Sequence, residues 1–174
     1  MSSEASTNNE DLTLRAQIDR SLRFPLLFFF TSAAVWLVFG TLLGFWSAVT
    51  LNFPNILEGY AMLSYGRVYP AHMNALIYGW GMQAGFGVAL WIMARLSRVP
   101  LRNPATLIVV GHIWNAVILI GLVAILLGWG TSILWLDFPH ALMPVILLAY
   151  VLIVIWMLGM FAVRRDKDCL LYTS

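Results

Sequence analysis

The sequence predicts an all-α membrane protein, a polytopic bundle of four transmembrane helices. Of its 174 residues, 61% are hydrophobic and 10% are charged, whereas soluble domains contain roughly 45–50% apolar and about 25% charged residues. Four apolar stretches each reach the ~20 residues that a helix needs to cross the hydrocarbon core. They lack the alternation of barrel strands, so helices are the structure that pairs all their backbone groups. The stretches run from about Pro25 to Val49, Pro70 to Ala94, Ala105 to Gly128 and Pro139 to Val163.

Proline positions support these helix boundaries. Pro25, Pro70, Pro104 and Pro139 lie at or just before the predicted starts, where the missing N–H leaves no hydrogen bond unmade. Pro144 lies a few residues further on and is expected to kink the fourth helix near its beginning.

Polar segments flank the membrane region. Residues 1–23 lack the apolar core and cleavage site of a signal peptide, so we interpret them as a retained cytoplasmic tail. Leu14, Ile18 and Leu22 recur every four residues beside arginines, which predicts a short amphipathic helix on the membrane surface. A disordered basic tail is the alternative. The predicted organisation is therefore a polar tail (1–23), a four-helix transmembrane segment (24–163) and a second cytoplasmic tail (164–174).

Composition excludes several classes of protein. The net charge of +2 comes from ten basic and eight acidic side chains, too few and too scattered for a nucleic-acid-binding surface. Cys169 is the single cysteine, so the chain can build neither a disulfide framework nor a thiolate metal cluster. A bound metal would need histidine, methionine or carboxylate ligands, or a cofactor that carries it.

Basic residues predict the orientation of the helices. Nine of them lie in the amino-terminal tail, the second connection and the carboxyl-terminal segment, whereas the first and third connections hold Arg67 alone. Because positively charged residues concentrate on the cytoplasmic side, both termini are expected there. The nine are Arg15, Arg20, Arg23, Arg95, Arg98, Arg102, Arg164, Arg165 and Lys167.

Depth in the membrane separates the three histidines. His72 and His140 begin the second and fourth helices and are expected near the outer surface. His112 is about seven residues into the third helix and therefore lies roughly 15 Å deeper, at ~1.5 Å per residue. His72 and His112 are thus too far apart to share one haem iron, whereas His72 and His140 could share one.

Small residues follow His72 on the same helix face. At about 100° per residue, Gly79 lies almost directly below His72, with Ala75 and Leu76 to either side. This arrangement predicts a shallow trough in which a porphyrin edge could approach the helix. The alternative is a small-residue seam for helix packing, for which Gly81 and Gly85 give a G-x-x-x-G pattern.

The residues around His72 resemble those of a known family. The match lies in the run Tyr65-Gly66-Arg67-Val68-Tyr69-Pro70-Ala71-His72-Met73-Asn74-Ala75. It is similar to the second transmembrane helix of subunit I of the cbb(3)-type, or C-family, haem-copper oxygen reductases, whose pattern is Gly-Arg-x-Arg-Pro-x-His-Thr-Asn-Ala. Tyr69 replaces the second arginine of that pattern and Met73 replaces the threonine. Weaker resemblance continues through the third and fourth helices.

This resemblance implies a cofactor and its ligand. His72 would be an axial ligand of low-spin haem b and hence the metal-ligating residue of the chain. Arg67 would form paired hydrogen bonds with a haem propionate; apart from the resemblance, an interfacial arginine facing lipid phosphates is the simpler interpretation. Gly79 would lie beside the porphyrin edge.

The resemblance also implies what the chain lacks. In that family the second low-spin ligand and the ligands of high-spin haem b and copper lie on helices beyond the fourth. We therefore expect an amino-terminal fragment that contains no haem-copper centre, and we assign no catalytic residue. Residues 168–174 lack family character, which fits a truncated gene model or non-native read-through.

The implied function of the parent protein is respiratory. Electrons from periplasmic cytochrome c would pass through c-type cytochrome subunits to low-spin haem b. They would then reach a haem-copper pair that reduces oxygen to water while protons cross the bacterial inner membrane. The expected partners are the lipid bilayer, the remaining helices of subunit I and the c-type cytochrome subunits.

Three other functions remain as alternatives, and the remaining polar residues are interpreted as structural. The rival functions are a nitric oxide reductase large-subunit fragment, a small b-type cytochrome that uses His72 and His140, and a cofactor-free membrane scaffold. The structural interpretations are an interfacial cap for His140, a hydrogen bond inside the bundle for His112, interhelical hydrogen bonds for Gln83 and Asn74, and solvated outer loops for Glu58 and Asp137.

Overall fold

The computed structural model describes residues 2–57, 59–131 and 133–164. Within these residues the chain is helical and contains no strand. A π-helical segment, Ala75–Gly81, joins α2 to α3, and short 3-10 turns lie at Ala61–Leu63 and His140–Leu142. Our predictions for Glu58 and for residues 165–174 fall outside the described residues. The α-helices are α1 (Ser2–Asn52), α2 (Tyr65–Asn74), α3 (Met82–Ser97), α4 (Pro104–Leu127) and α5 (Met143–Ala162).

In the described part of the chain, four helical spans are long and apolar enough to cross a membrane, so the predicted four-helix membrane fold is confirmed. We call the end of the bundle at which α3 is followed by α4 the α3–α4 end, and the other the α1–α2 end. α1 packs along α2, the π-helical segment, α3 and α4, and α5 packs against α3 and α4. The spans are Asp11–Asn52, Tyr65–Ser97, Pro104–Leu127 and His140–Ala162.

Helix α1 is much longer than the first apolar stretch. It continues without a break through the segment that we expected to lie on the membrane surface or to be disordered. Ile18 and Leu22 are buried in the core of the bundle. The apolar stripe is therefore covered by protein at the α3–α4 end, which makes a surface location unnecessary.

Polar contacts hold this extension against the α3–α4 end. Asp19 forms an ion pair with Arg95 at 2.8 Å, and Asp11 forms one with Arg98. The backbone N–H of Leu101 donates to the side-chain oxygen of Ser21 at 2.9 Å. The tail is thus an extension of the first transmembrane helix that is docked on the second connection.

Prolines lie differently from our prediction in three of the four helices. Pro25 and Pro70 lie inside α1 and α2, because both helices begin in polar sequence before the apolar stretch. Pro144 lies in the first turn of α5, where proline fits a helix without breaking a hydrogen bond. The expected kink in the fourth span is therefore replaced by the 3-10 turn that precedes α5. Pro104 begins α4 as predicted.

A polar network ties three helices together inside the bundle. The indole N–H of Trp36 donates to Oδ1 of Asn115 at 2.6 Å. The amide of Gln83, which is fully buried, exchanges hydrogen bonds of 3.1 Å with the amide of Asn115. The interhelical role predicted for Gln83 is therefore confirmed.

Candidate functional site

His72 lies near the end of α2, three residues before the π-helical segment begins. A π-helical turn is wider than an α-helical turn, and such turns are frequent at functional sites. The segment includes Ala75, Gly79 and Gly81. Helical projection at 3.6 residues per turn therefore does not apply to the positions that follow His72.

The imidazole of His72 is held by the neighbouring helix. Its Nδ1 atom lies 2.7 Å from the backbone oxygen of Gly40 on α1. A carbonyl oxygen can only accept a hydrogen bond, so Nδ1 must be the donor and carry the proton. In the neutral ring, Nε2 then keeps its lone pair. This is the tautomer that a histidine uses when Nε2 binds a metal and Nδ1–H is fixed by a backbone carbonyl.

Two glycines of α1 allow this close contact. A Cβ atom on Gly44 would lie 2.6 Å from Cε1 of the His72 ring, and one on Gly40 would lie 2.8 Å from Cδ2 of Leu76. Such distances are far below van der Waals contact, so α1 approaches α2 only because both positions lack side chains. We define Gly40, Gly44 and His72 as the histidine clasp.

The alternative interpretation, a packing seam at Gly81 and Gly85, is not supported by the described helices. Among the described residues and beyond the adjoining helix backbone, a Cβ on Gly85 would meet no atom within 4 Å, and one on Gly81 would meet only the backbone oxygen of Leu76 at 3.4 Å. The G-x-x-x-G pattern that packs helices is formed instead by Gly40 and Gly44. Their spacing in the sequence was a signal that could have identified the clasp.

The trough predicted beneath His72 is filled by a side chain of α1. A Cβ on Gly79 would lie 2.6 Å from Cγ of Trp36, and the Trp36 side chain is itself buried. The expectation that Gly79 borders open space for a porphyrin edge is therefore corrected. Gly79 instead accommodates the indole ring of Trp36. The π-helical segment alters the direction in which Gly79 faces, and α1 packs against it there.

Arg67 lies over the end of α4. Its Nη1 donates to the backbone oxygen of Leu126 at 3.1 Å. Gly128 follows the helix with a φ of +90°, and a Cβ there would lie 2.9 Å from Nη2 of Arg67. The last carbonyls of a helix lack partners and carry partial negative charge. The guanidinium thus stabilises this helix end, and glycine supplies both the left-handed turn and the space.

Asn74 and Asp137 form a second polar contact at the α1–α2 end. Asn74 is fully buried, and its Nδ2 donates to Oδ2 of Asp137 at 2.7 Å. Asp137 is therefore not the solvated loop acid that we expected. The loop folds back because the backbone N–H of Thr131 donates to the backbone oxygen of Asp137 at 2.8 Å. Asn74 therefore bonds to a loop residue and not to another helix as we predicted, and its Oδ1 is buried without a partner among the described atoms.

The other two histidines lie elsewhere. His112 is exposed on α4 and its Nδ1 lies 2.8 Å from the backbone oxygen of Ile108 on its own helix, so the expected hydrogen bond inside the bundle is not formed. Its ring packs against Phe28, with centroids 4.6 Å apart. His140 is exposed and lines an apolar groove of about 630 Å³ together with Tyr78. The structure therefore places neither histidine in the clasp.

The arrangement can supply one metal ligand. Among the described residues, no group of three or more His, Cys, Asp or Glu side chains is placed to hold a metal ion. Nε2 of His72 is a single donor atom, so a metal that it binds would take its remaining ligands from elsewhere, as haem iron does. The fixed tautomer and the half-buried ring suit that role.

Comparisons with known proteins agree with this interpretation of the helices. The model of the family "Cytochrome C and Quinol oxidase polypeptide I" matches residues 25–165. The chain is also similar to the cbb3-type cytochrome c oxidase subunit CcoN1 of Stutzerimonas stutzeri, with 26% identity over 133 residues. That match covers 76% of this chain and 28% of the relative. The chain is thus a membrane protein that belongs to the cytochrome c and quinol oxidase polypeptide I family.

Proposed function

We propose that the chain forms part of subunit I of a cbb(3)-type haem-copper oxygen reductase and supplies one axial ligand, Nε2 of His72, to low-spin haem b. Family membership implies haem and copper as cofactors. The observation that carries the choice of ligand is the 2.7 Å contact between Nδ1 of His72 and the backbone oxygen of Gly40. It gives the imidazole the tautomer and the fixed ring position that an axial ligand needs.

The chain's own contribution is orientation and electrostatics. Bound haem iron would supply reversible one-electron transfer. Donation from Nδ1 to Gly40 raises the basicity of the imidazole and therefore favours the oxidised iron. The histidine clasp also restricts rotation of the ring, because Gly44 lies directly against it. Preorganisation of this kind reduces the rearrangement that accompanies a change of charge.

Arg67 is proposed as a propionate contact. Guanidinium has five N–H donors, and the carbonyl of Leu126 takes one of them. The other donors remain for a carboxylate, with which arginine forms paired hydrogen bonds. Arg67 lies on the same helix as His72, at the same end of the bundle. The proposal thus assigns Arg67 two tasks, one at the end of α4 and one at the cofactor.

Gly79 keeps an indirect role in the proposal. Because Trp36 covers it, Gly79 would affect haem binding through the separation of α1 from the segment that follows His72. The histidine and its hydrogen bond fit one axial position of a haem. The residues around Gly79 fit an indole ring, so no porphyrin contact is assigned to that glycine.

The wider assignment follows from the relative and from the charge pattern. The relative is named as a cbb3-type cytochrome c oxidase subunit, and we propose the same reaction for the protein to which this chain contributes. Cytochrome c would be oxidised, oxygen reduced to water and protons moved across the bacterial inner membrane. The remaining helices of subunit I would hold high-spin haem b and copper, c-type cytochrome subunits would be partners, and both termini would be cytoplasmic.

A small bis-histidine cytochrome has less support. The His72 ring lies against α1, whereas His140 lines a groove beside Tyr78 and Trp114. A single haem with both ligands would need one of the two rings to leave its present surroundings. Two further rival functions, nitric oxide reduction by a related large subunit and a cofactor-free scaffold, are distinguished by the measurements below.

The ligand proposal is tested by replacing each histidine in the full-length protein. His72→Ala should remove the low-spin haem b band from the reduced spectrum, while His112→Ala and His140→Ala keep it. The two control variants lose the same side chain at other places in the helical bundle. A normal low-spin band in His72→Ala would show that the ligand is wrong, and loss of the band only in His140→Ala would favour the bis-histidine cytochrome.

Two further measurements test the other rival functions. A wild-type spectrum without any haem band would favour the cofactor-free scaffold. Measuring whether the parent protein consumes oxygen or nitric oxide would separate the two reductase classes.

A further inference from the structure

A groove of about 730 Å³ lies between α1 and α3 at the α3–α4 end of the bundle. It is away from the histidine clasp, and the proposed haem site does not use it. Arginines line one end, and apolar side chains line the other. The residues that matter here are Arg20, Arg23, Leu27, Phe30 and Trp91.

The polar end of the groove carries unbalanced positive charge. Asp19 also lines it, but the carboxylate is neutralised by Arg95 at 2.8 Å. Arg20 and Arg23 form no ion pair within the described part of the chain. They lie three residues apart on α1, on neighbouring turns of one face. Two guanidinium groups are therefore available to an anion at the mouth of the groove.

The other end of the groove is apolar and open. Leu27 is 55% exposed, Phe30 43% and Trp91 46%. Phe30 follows Arg23 by seven residues, which corresponds to about 10 Å along α1. Arg95 lies over the Trp91 ring at 5.8 Å and so marks the boundary between the charged and apolar parts. The groove therefore changes from cationic to apolar over the distance between a lipid phosphate and its upper acyl carbons.

We propose that this groove is a binding site for an anionic phospholipid, independent of the haem proposal. The phosphate would be bound by Arg20 and Arg23, and one acyl chain would lie along Leu27, Phe30 and Trp91. The lipid would come from the leaflet on the side where α1 begins, which is the cytoplasmic leaflet in the proposed orientation. Basic pockets between transmembrane helices on that side bind anionic headgroups. A transmembrane helix in the groove would leave both guanidinium groups without a counter-charge.

The test measures lipid binding to protein extracted from native membranes and then delipidated. Native mass spectrometry measures binding of added dioleoyl phosphatidylglycerol, dioleoyl phosphatidylcholine or inorganic phosphate. The two lipids differ in headgroup charge but share their acyl chains, and inorganic phosphate carries charge without an acyl chain. Wild-type protein should bind phosphatidylglycerol in preference to phosphatidylcholine. The double change Arg20→Gln and Arg23→Gln should weaken phosphatidylglycerol binding by up to about 25-fold, since each basic residue near an anionic lipid contributes about a fivefold factor.

Two further variants distinguish the groove from general surface charge. Arg102→Gln removes the same charge at the same end of the bundle but outside the groove, and its binding should match the wild type. Leu27→Trp keeps the charge and fills the apolar end, so it should also weaken phosphatidylglycerol binding. Equal loss in Arg102→Gln would overturn the proposal. So would full competition by inorganic phosphate, or no lipid binding because another helix covers the groove.

Discussion

Nδ1 of His72 donates a hydrogen bond to the backbone oxygen of Gly40 on the neighbouring helix. Because the acceptor is a main-chain atom, the bond depends on how closely the backbone of α1 approaches α2. Gly44 sets that approach, since its hydrogen atoms face the imidazole ring. The geometry of the proposed haem ligand is therefore determined by a helix that contributes no ligand.

Gly44→Ala should disturb the histidine clasp. The added methyl group would lie 2.6 Å from Cε1 of His72, so either the ring or the helix must move. Overpacking of this kind lowers stability by about 1–3 kcal/mol. We expect lower thermal stability of the purified protein together with a smaller low-spin haem content per polypeptide.

Gly85→Ala is the matched control for that change. It adds the same methyl group inside a transmembrane helix, at a position where the described residues place no other atom within 4 Å beyond the adjoining helix backbone. Its stability and haem content should equal or exceed those of the wild type. If both alanine variants lose haem to the same extent, the clasp has no special role.

Replacing Trp36 should separate packing from hydrogen bonding. Trp36→Phe keeps a ring over Gly79 but removes the donor to Asn115, which should lower stability by about 0.6 kcal/mol, as for other hydrogen bonds in membrane proteins. Trp36→Ala also empties the space over Gly79 and should lower it by about 3–5 kcal/mol. Denaturation of the detergent-solubilised protein measures both values. Trp129→Phe, at a side chain that is 71% exposed, should change little, and equal effects of the two Trp36 variants would argue against the packing role.

Arg67→Ala should leave haem bound and lower its reduction potential. A positive charge beside the cofactor stabilises the electron-rich state, and its removal should shift the potential by on the order of tens of millivolts. Arg67→Lys retains the charge and should keep most of the potential. Redox titration of the low-spin band measures the shift. An unchanged potential in Arg67→Ala would show that the guanidinium is not close to the cofactor. Its remaining role would then be the hydrogen bond to the end of α4.

Reporter fusions should reveal the orientation of the helices. The excess of arginine and lysine at the α3–α4 end predicts a cytoplasmic reporter after Ser174 and a periplasmic reporter near Asn55. Alkaline phosphatase and green fluorescent protein fusions at both points give opposite readouts, so each serves as the control for the other. The reverse pattern would move His72 to the cytoplasmic side and contradict the proposed path of electrons.

The transmembrane spans were predictable because the hydrophobic effect and backbone desolvation dominate inside a bilayer. The helix ends were less so, as α1 and α2 show. Both helices extend into polar sequence. Hydropathy does not predict helix ends there, and contacts with other segments determine where each helix begins. Ile18 and Leu22 were correctly identified as an apolar stripe, but the sequence does not reveal that the α3–α4 end covers it.

The candidate site likewise combines features that local sequence reveals with contacts that it does not reveal. His72 could be identified from its neighbours in the sequence, whereas its partner Gly40 lies on another helix. The interpretation of Gly79 was wrong because a single-helix projection includes neither the π-helical segment nor Trp36. Asp137 was misjudged for a similar reason, since a loop that folds back onto Asn74 has no local hydrophobic pattern. Residue type and spacing selected the candidate side chains, but contacts between distant segments determine where those side chains lie and what they touch.

Helix α1 contains 51 residues, or about 75 Å at ~1.5 Å per residue, against about 30 Å of hydrocarbon. Its Asp19 pairs with Arg95, which is synthesised 76 residues later. The pair therefore cannot form until the second span has crossed the bilayer. The end of α3 that carries Arg95 then lies on the same side of the membrane as Asp19. A span inserted in the wrong direction would leave the two charges on opposite faces of the membrane. The ion pair can therefore form only in a chain whose first two spans run in opposite directions.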